Sequence, residues 1–242
     1  MTKMKSALCL ATAAILFSAC SDGSSSSSSS SSNNDGPYAK DRAHKIITVM
    51  NEKPGINLGN VFEAPNDNFD GTTSGEFTSS WNETIKDADF KALADSGFGN
   101  IRIPIRWDTH CTDNSCTIDS NWMARVFWAV KLTVDNGMIA IVNSHHWQDM
   151  YDHPDSIQAC LLNVYTQLTN KVKAYSPDSV IIELLNEPRD SSSTGTGLTS
   201  DKWNTLIDTT IKTIRAIDPN RVIMAGTYNY NSYSTISNLV LP

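Results

Sequence analysis

Basic residues are scarce relative to acidic residues in this sequence. The 242 residues include 19 Lys and Arg against 26 Asp and Glu, which gives a net charge of −7 at pH 7. Lys and Arg form no run that would line one face of the molecule, so nucleic acid is excluded as an expected partner. A neutral substrate is compatible with this charge balance.

Glycine-rich phosphate loops are also absent. The 12 glycines form no G-x-G-x-x-G segment after a strand-like run, which disfavours a dinucleotide-binding fold. The chain is 40% hydrophobic, which is enough for one globular core but leaves little room for a second domain after the N-terminal segments. We therefore expect one monomeric domain over residues 38–242.

Long apolar runs are missing except near the N terminus, where residues 6–17 follow the basic start MTKMK. This run is too short for a permanent membrane span, and small residues precede Cys20. The pattern resembles a bacterial lipoprotein signal, which implies removal of residues 1–19 and lipidation of Cys20. An ordinary secretory signal cut nearby is the alternative. Both readings predict export, either to a lipid anchor at the outer membrane or cell surface or as a secreted protein.

Residues 20–37 contain almost no apolar side chains and include an unbroken serine run over residues 24–32. Such a segment has no apolar area to offset the entropy of ordering. We expect a flexible tether that holds the domain away from the membrane.

Cysteine is rare in the predicted mature domain, which retains Cys111, Cys116 and Cys160. The segment CTDNSC is short and polar, so we expect Cys111 and Cys116 to form a disulfide in an oxidising compartment. A metal site is the rival interpretation, but no second Cys or His pair stands nearby at zinc-site spacing. Cys160 lies in an apolar helical pattern and is predicted to be a buried free thiol.

Apolar runs that favour β-strands alternate with segments in which apolar residues recur at helical spacing. The strand-like runs cover residues 55–60, 100–106, 138–143, 179–186 and 221–226. Ser80 and Glu83 form a capping-box pattern before the first of the intervening helices. This alternation predicts an α/β fold with a parallel sheet, and a (β/α)8 barrel is the favoured architecture.

Polar and aromatic residues follow the predicted strands at their carboxyl ends. They are Asn60, Arg106, Trp107, Asn143, His145, His146, Trp147, Asn186, Glu187, Tyr228 and Tyr230. In a barrel these ends meet at one rim, where active sites are assembled. Glu187 is the most informative, because an apolar strand delivers it and Pro188 then stops the strand. The alternative for Glu187 is a surface ion pair after a core strand.

Four segments, GINLGN, NIRIPIRW, IVNSHHW and IIELLNEP, occur in this order at these intervals. They resemble the retaining (β/α)8 glycoside hydrolases of family 5, the cellulase and endoglucanase family of clan A. The resemblance covers roughly residues 45–242, and NEP is its most specific element. It implies hydrolysis of β-1,4-glycans with retention of configuration, without a metal or another cofactor.

The resemblance also implies catalytic roles for four residues. Glu187 would be the acid/base, and Asn186 would donate a hydrogen bond to the sugar 2-hydroxyl. Arg102 would keep the nucleophilic carboxylate ionised, provided that it projects inward rather than towards the surface. His145 would hydrogen bond near the cleaved sugar.

Substrate-binding roles are expected for further residues at the same rim. His146 and Trp147 would border a neighbouring subsite, although a structural role for His146 remains open. Aromatic rings pack on the apolar faces of sugars, so Trp107, Trp147 and Tyr228 are candidate stacking platforms. Asn60, at the end of the first strand, is the remaining candidate for substrate contact.

Five strand signals are present, whereas a (β/α)8 barrel has eight strands. We therefore expect residues 38–242 to be the N-terminal part of a catalytic domain that is inactive by itself. The resemblance places the nucleophilic Glu after the seventh strand, which lies beyond residue 242. Replacement of that Glu by Asp149, Asp190 or Asp201 is the alternative.

Three functions remain open at this point. The first is a tethered endo-β-1,4-glucanase, and the second is a related mannanase, xyloglucanase or lichenase. The third is a surface glycan-binding lipoprotein without catalysis. Glu187 beside Asn186 disfavours the third function, because binding alone does not need an acid at a strand end.

Overall fold

A five-stranded parallel sheet organises the chain in the computed structural model, which describes residues 38–65 and 69–242. The predicted signal (1–19), the lipidation site Cys20 and the tether (20–37) lie outside the described residues. No helix in the described ranges combines the length and the apolar composition needed to cross a membrane.

The sheet strands are β1 (Gly55–Asn57), β4 (Asn100–Ile103), β5 (Ile139–Val142), β6 (Val180–Glu183) and β7 (Ile223–Met224). A separate antiparallel hairpin is formed by β2 (Phe77–Thr78) and β3 (Thr84–Ile85). The helices are α1 (Tyr38–Glu52), α2 (Asp87–Asp95), α3 (Ser120–Asp135), α4 (Gln148–Asp152), α5 (Pro154–Val172) and α6 (Ser200–Ile217). Short helical turns cover Asp108–His110, Tyr228–Asn231 and Tyr233–Asn238.

The strands pair in chain order, β1-β4-β5-β6-β7, and every pair is parallel. One or more helices follow each of the first four strands in the sequence. This alternation of inner strands and outer helices is the layer arrangement of a (β/α) barrel. The predicted fold class is confirmed, with five β/α strands in the described residues.

Side chains on the two faces of the sheet belong to two different apolar clusters. Ile101 and Ile103 of β4 pack with helices α3 and α5 in the larger cluster. Ile139, Ile141 and Ile181 face the opposite way and pack against Ile46 of α1. Helix α1 therefore covers the inner face of the sheet, a role that the sequence patterns did not predict.

The predicted capping box at Ser80 and Glu83 is wrong. Both residues lie around the β2-β3 hairpin, and α2 begins later, at Asp87. The carboxylate of Asp89 accepts a hydrogen bond from the backbone N–H of Lys86 at 2.8 Å. This contact satisfies a backbone donor that the start of a helix leaves unpaired, so it fixes the beginning of α2 instead.

Arg125 of α3 holds the segment between β1 and the hairpin. Its guanidinium is fully buried and donates to the carbonyl oxygens of Thr72, Ser74 and Gly75 at 2.7, 3.0 and 2.8 Å. Three carbonyl acceptors satisfy a buried cation that would otherwise be costly. The long loop after β1 is thereby fastened above the sheet.

Candidate active site

Three of the predicted site residues have a left-handed backbone at strand ends. The φ angles are 66° at Asn60, 55° at His146 and 46° at Glu187. These residues follow β1, β5 and β6, which are three strands of one parallel sheet. Non-glycine residues adopt this conformation at a cost of about 1–3 kcal/mol, and such residues cluster at functional sites.

Arg102 joins β4 to β6 at this rim. Its Nε and Nη2 atoms donate to the two carboxylate oxygens of Glu183 at 2.6 and 2.7 Å. Nη2 also donates to Oδ1 of Asn186 at 2.9 Å, and Nη1 donates to Oδ1 of Asn57 at 3.3 Å. Arg102 therefore projects inward, as predicted, and binds Asn186 directly.

Arg102 has a partner that was not predicted, and its predicted role at the nucleophile stays a prediction. In the described structure Arg102 forms a bidentate ion pair with Glu183, which is 7% exposed. Burial by itself would lower the pKa of Arg102, but the hydrogen bonds and charge of Glu183, with the charges of Glu63 and Glu187, raise it. Sequence reasoning missed Glu183, although an acid within an apolar strand signals a buried partner.

The side chain of Glu187, unlike that of Glu183, is largely accessible, with 46% of its surface exposed. Its Oε2 lies 3.7 Å from Nη1 of Arg189, and the same nitrogen donates to the Glu187 carbonyl oxygen at 3.0 Å. The Arg189 guanidinium lies 4.1 Å from the ring centroid of Tyr151 and 5.0 Å from that of Tyr230. Two aromatic rings thus fix the arginine that contacts Glu187.

Asn143 connects the ends of β4, β5 and β6 and is fully buried. Its Nδ2 donates to Glu183 at 3.3 Å and lies 3.4 Å from Nδ1 of His145. The His145 ring lies edge-on to His146, with centroids 4.3 Å apart. Burial and nearby positive charges lower the pKa of His145 to about 2, so its imidazole is neutral at physiological pH.

Trp107 and Trp147 are not stacking platforms in the described structure. Trp107 is 1% exposed and donates its indole N–H to the Asn143 carbonyl at 2.9 Å, while Trp147 is 2% exposed. A ring enclosed by the core cannot pack on a sugar, so both predictions are corrected. Tyr228 is half-buried, and its hydroxyl accepts a hydrogen bond from the backbone N–H of Asp190 at 3.1 Å.

Asn60 is exposed beside a buried acid that the sequence patterns did not single out. The carboxylate of Glu63 accepts hydrogen bonds from the backbone N–H groups of Asn60 and Val61 at 2.5 and 3.1 Å. Burial raises the pKa of Glu63 despite these bonds. The carboxylate thus shapes the turn that presents the Asn60 side chain to solvent.

Comparisons with known proteins agree with this geometry. The family model Cellulase (glycosyl hydrolase family 5) matches residues 62–242. The chain belongs to glycoside hydrolase family 5. Endoglucanase B of Clostridium cellulovorans is 34% identical to this family 5 chain over 203 residues, which are 78% of the chain and 44% of the relative.

Solved structures of the family superpose on the described sheet and helices. Endoglucanase Cel5A of Thermotoga maritima is 31% identical, with a TM-score of 0.67 over 78% of this chain and 55% of that one. A broad specificity endoglucanase from Clostridium cellulovorans is 32% identical, with a TM-score of 0.68 over 81% and 58% of the two chains. The chain spans about half the length, or less, of the curated relatives that it matches.

The family 5 chain carries an exposed tryptophan at the same rim that sequence reasoning overlooked. Trp81 is 45% exposed and lies in the β2-β3 turn. The neighbouring Ser79 donates its hydroxyl to the Asn60 carbonyl oxygen at 2.6 Å, which ties this turn to the end of β1. An aromatic residue in the polar segment SSWNET was the available signal, because a polar turn seldom needs a tryptophan for packing.

A partly buried carboxyl group, that of Asp108, follows β4 in the family 5 chain. Asp108 lies 3.5 Å from Nε of Arg106, which in turn donates to the His146 carbonyl oxygen at 3.2 Å. Burial raises the pKa of Asp108 to about 6, and the Arg106 charge only partly opposes this shift. Asp108 therefore titrates close to neutral pH.

The predicted disulfide between Cys111 and Cys116 is not formed in the structure, where both residues and Cys160 are free thiols. The Cys111 thiol donates to the Trp107 carbonyl oxygen at 3.6 Å, and the Cys160 thiol donates to the Asn114 carbonyl oxygen at 3.2 Å. Burial raises the pKa of Cys116 to about 12 and that of Cys160 to about 11. Cys160 is a buried free thiol, as predicted, but it contacts Cys116 of the loop rather than apolar side chains alone.

Proposed function

We propose that the chain supplies the acid/base half of the active site of a retaining endo-β-1,4-glucanase, with Glu187 as the acid/base. The observation that carries this proposal is the end of β6. There a partly exposed Glu187 in a left-handed conformation follows a buried Asn186 that Arg102 binds. Membership of family 5 supports the same assignment.

The proposed reaction is a double displacement. Glu187 protonates the glycosidic oxygen of the leaving sugar while a second carboxylate attacks the anomeric carbon and forms a glycosyl-enzyme. Water then attacks this intermediate, with Glu187 removing a proton from the water, and releases a product of retained configuration. Asn186 donates to the 2-hydroxyl of the sugar that becomes attached, and this contact strengthens in the transition state.

We infer that the nucleophile is not among the carboxylates described at this rim, because these already have protein partners. Glu63 accepts from two backbone N–H groups, Glu183 pairs with Arg102, and Asp108 pairs with Arg106.

The three aspartates considered as replacements have other surroundings. Asp149 and Asp201 lie in the first turns of α4 and α6. The Asp190 carboxylate accepts hydrogen bonds from the backbone N–H and the hydroxyl of Ser192 at 2.8 and 2.6 Å. These contacts favour structural roles for them.

β-1,4-Glucan is the proposed substrate, since the relatives are named endoglucanases. Hydrolysis of mannan, xyloglucan or mixed-linkage glucan is the second candidate. One solved relative is titled a broad specificity endoglucanase, and the Thermotoga maritima enzyme was crystallised with mannotriose. Binding of a surface glycan without catalysis is less well supported, because it gives no role to an exposed carboxyl group beside an oriented Asn186.

We also propose that the protein is exported and anchored by lipid at Cys20, with residues 20–37 as the tether. The basic start, the short apolar run and the small residues before Cys20 support this proposal. The domain would then meet polymeric substrate outside the cytoplasm.

The stereochemistry of hydrolysis tests the proposed mechanism. The complete protein is incubated with an oligosaccharide of β-1,4-linked glucose, and the anomeric protons of the first products are followed by NMR. We expect the β-anomer to appear first and the α-anomer to follow by mutarotation. Early appearance of the α-anomer would contradict a retaining mechanism, and no cleavage across glucan, mannan, xyloglucan and lichenan would contradict hydrolysis.

A further inference from the structure

We propose that Glu183 is a positioning residue that acts through Arg102 to hold the side-chain amide of Asn186 ready for the sugar 2-hydroxyl. This role rests on the proposed function and adds a residue to it. Glu183 lies at the end of β6, three residues before Asn186, and is 7% exposed. It is too enclosed to contact a polysaccharide directly.

The first step is the orientation of Asn186. Its Oδ1 accepts a hydrogen bond from Nη2 of Arg102 at 2.9 Å. A guanidinium carries only donors, so the amide atom that faces it must be the oxygen. The NH2 group therefore faces the other way, and no hydrogen bond joins it to another of the described residues.

The backbone of Asn186 is equally constrained. Its N–H donates to the Ser144 carbonyl oxygen at 2.9 Å, and its carbonyl oxygen accepts from the Tyr151 hydroxyl at 2.7 Å. Its remaining freedom is rotation of the side chain. The bond from Arg102 removes that freedom, which leaves the NH2 group as a fixed donor.

The second step is the orientation of Arg102. Glu183 accepts from two of its nitrogens, at 2.6 and 2.7 Å, in the planar bidentate geometry that fits a guanidinium. The Glu183 carboxylate is itself fixed by Nδ2 of Asn143 at 3.3 Å. Glu183 thus determines where Nη2 points, and Nη2 determines which way the Asn186 amide faces.

The variant Glu183→Gln tests this chain of contacts with a minimal change of shape. The glutamine NH2 would face an arginine donor, so the bidentate pair cannot form and Arg102 is released from its fixed orientation. The complete protein and its variant are compared on two substrates. One is an aryl β-cellobioside, and the other is its analogue with hydrogen in place of the 2-hydroxyl on the cleaved sugar.

We expect Glu183→Gln to lower kcat/KM for the 2-hydroxy substrate by about 10- to 100-fold, the usual effect of a lost hydrogen bond to a charged network. For the 2-deoxy analogue we expect a decrease of less than about 3-fold, because that substrate has no hydroxyl for Asn186 to contact. The variant Arg102→Lys should change the ratio of the two kcat/KM values in the same direction, since lysine cannot form a bidentate contact. It provides a second test if Glu183→Gln does not fold.

The matched control is Asp218→Asn, which disrupts a buried ion pair with Arg221 outside this rim. It should lower thermal stability but leave the ratio of the two kcat/KM values unchanged. Equal losses on both substrates in Glu183→Gln and Arg102→Lys would overturn the positioning role while leaving the proposed function intact. Failure of the parent protein to cleave either substrate would refute the proposed function and this role with it.

Discussion

The guanidinium of Arg189 lies between Glu187 and the ring of Tyr151. Its Nη1 is 3.7 Å from the Glu187 carboxylate and 3.0 Å from the Glu187 carbonyl oxygen, and its centre is 4.1 Å from the Tyr151 ring centroid. The Glu187 backbone that this contact holds is left-handed, with a φ angle of 46°. Arg189 thus orients the proposed acid/base.

Arg189→Lys is expected to lower kcat on soluble cellulosic substrate by about 10-fold with little change in KM, since one charged hydrogen bond and its planar stacking are lost. Steady-state kinetics of the complete protein measure both constants. Lys202→Met is the control, because Lys202 pairs with Asp155 on the outer helices. A kcat equal to that of the parent would show that Arg189 does not orient Glu187.

Asp108 should make stability depend on pH between about 4 and 6. Because the pKa of Asp108 is raised to about 6, the folded state keeps a proton that the unfolded state loses above the ordinary aspartate pKa of 3.8. The contribution of this group to the free energy of unfolding therefore falls as pH rises through that window.

Asp108→Asn removes this titration. The stability of the variant relative to the parent should increase by about 1–3 kcal/mol between pH 4 and pH 7. Urea unfolding at several pH values measures the difference, and Asp208→Asn at an exposed helical ion pair is the control. A difference that is constant with pH would mean that Asp108 ionises normally.

Cys116 and Cys160 should be slow to react in the folded protein. Burial raises the pKa of these thiols to about 12 and about 11, and only the thiolate is nucleophilic. At pH 8 we expect alkylation of these two thiols by iodoacetamide to be at least about 100-fold slower than in urea. Peptide mass spectrometry showing Cys111 joined to Cys116 would restore the disulfide prediction and contradict the free thiols of the structure.

The lipid anchor can be tested by Cys20→Ser in the complete protein. We expect the variant to leave the membrane fraction with unchanged specific activity, since the serine-rich tether separates the anchor from the domain. Membrane and soluble fractions are compared by immunoblot and by hydrolysis of soluble substrate. Equal membrane association of variant and parent would refute lipidation of Cys20.

The sheet could be predicted from the sequence because its strands are continuous runs of apolar, mostly β-branched residues. All five predicted strands occur in the predicted order, although each is shorter than its apolar run. Strand β6, for example, ends at Glu183, three residues before the end of its apolar run. There the backbone N–H groups of Leu184 and Asn186 still bond to neighbouring chain segments outside the strand proper.

The contacts within the site were harder to predict, because they join residues far apart in the chain. Arg102 and Glu183 are 81 positions apart, so no local pattern identifies them as partners. The predictions for the aromatic residues were wrong for a different reason. Each of Trp107, Trp147 and Trp81 follows a strand, but of these three only Trp81 is exposed. The order of residues in the sequence does not reveal which side of a loop is covered by the core.

The most direct test of the account is azide rescue of Glu187→Ala in the complete protein, with an aryl β-cellobioside whose leaving group needs no protonation. The variant should lose several orders of magnitude of activity on cellulosic polymer but still form the glycosyl-enzyme from the activated substrate. Azide should then accelerate turnover and yield a β-glycosyl azide, because it replaces the water that Glu187 would have activated. Polymer hydrolysis near the parent rate, or no glycosyl azide of either configuration, would contradict Glu187 as the acid/base.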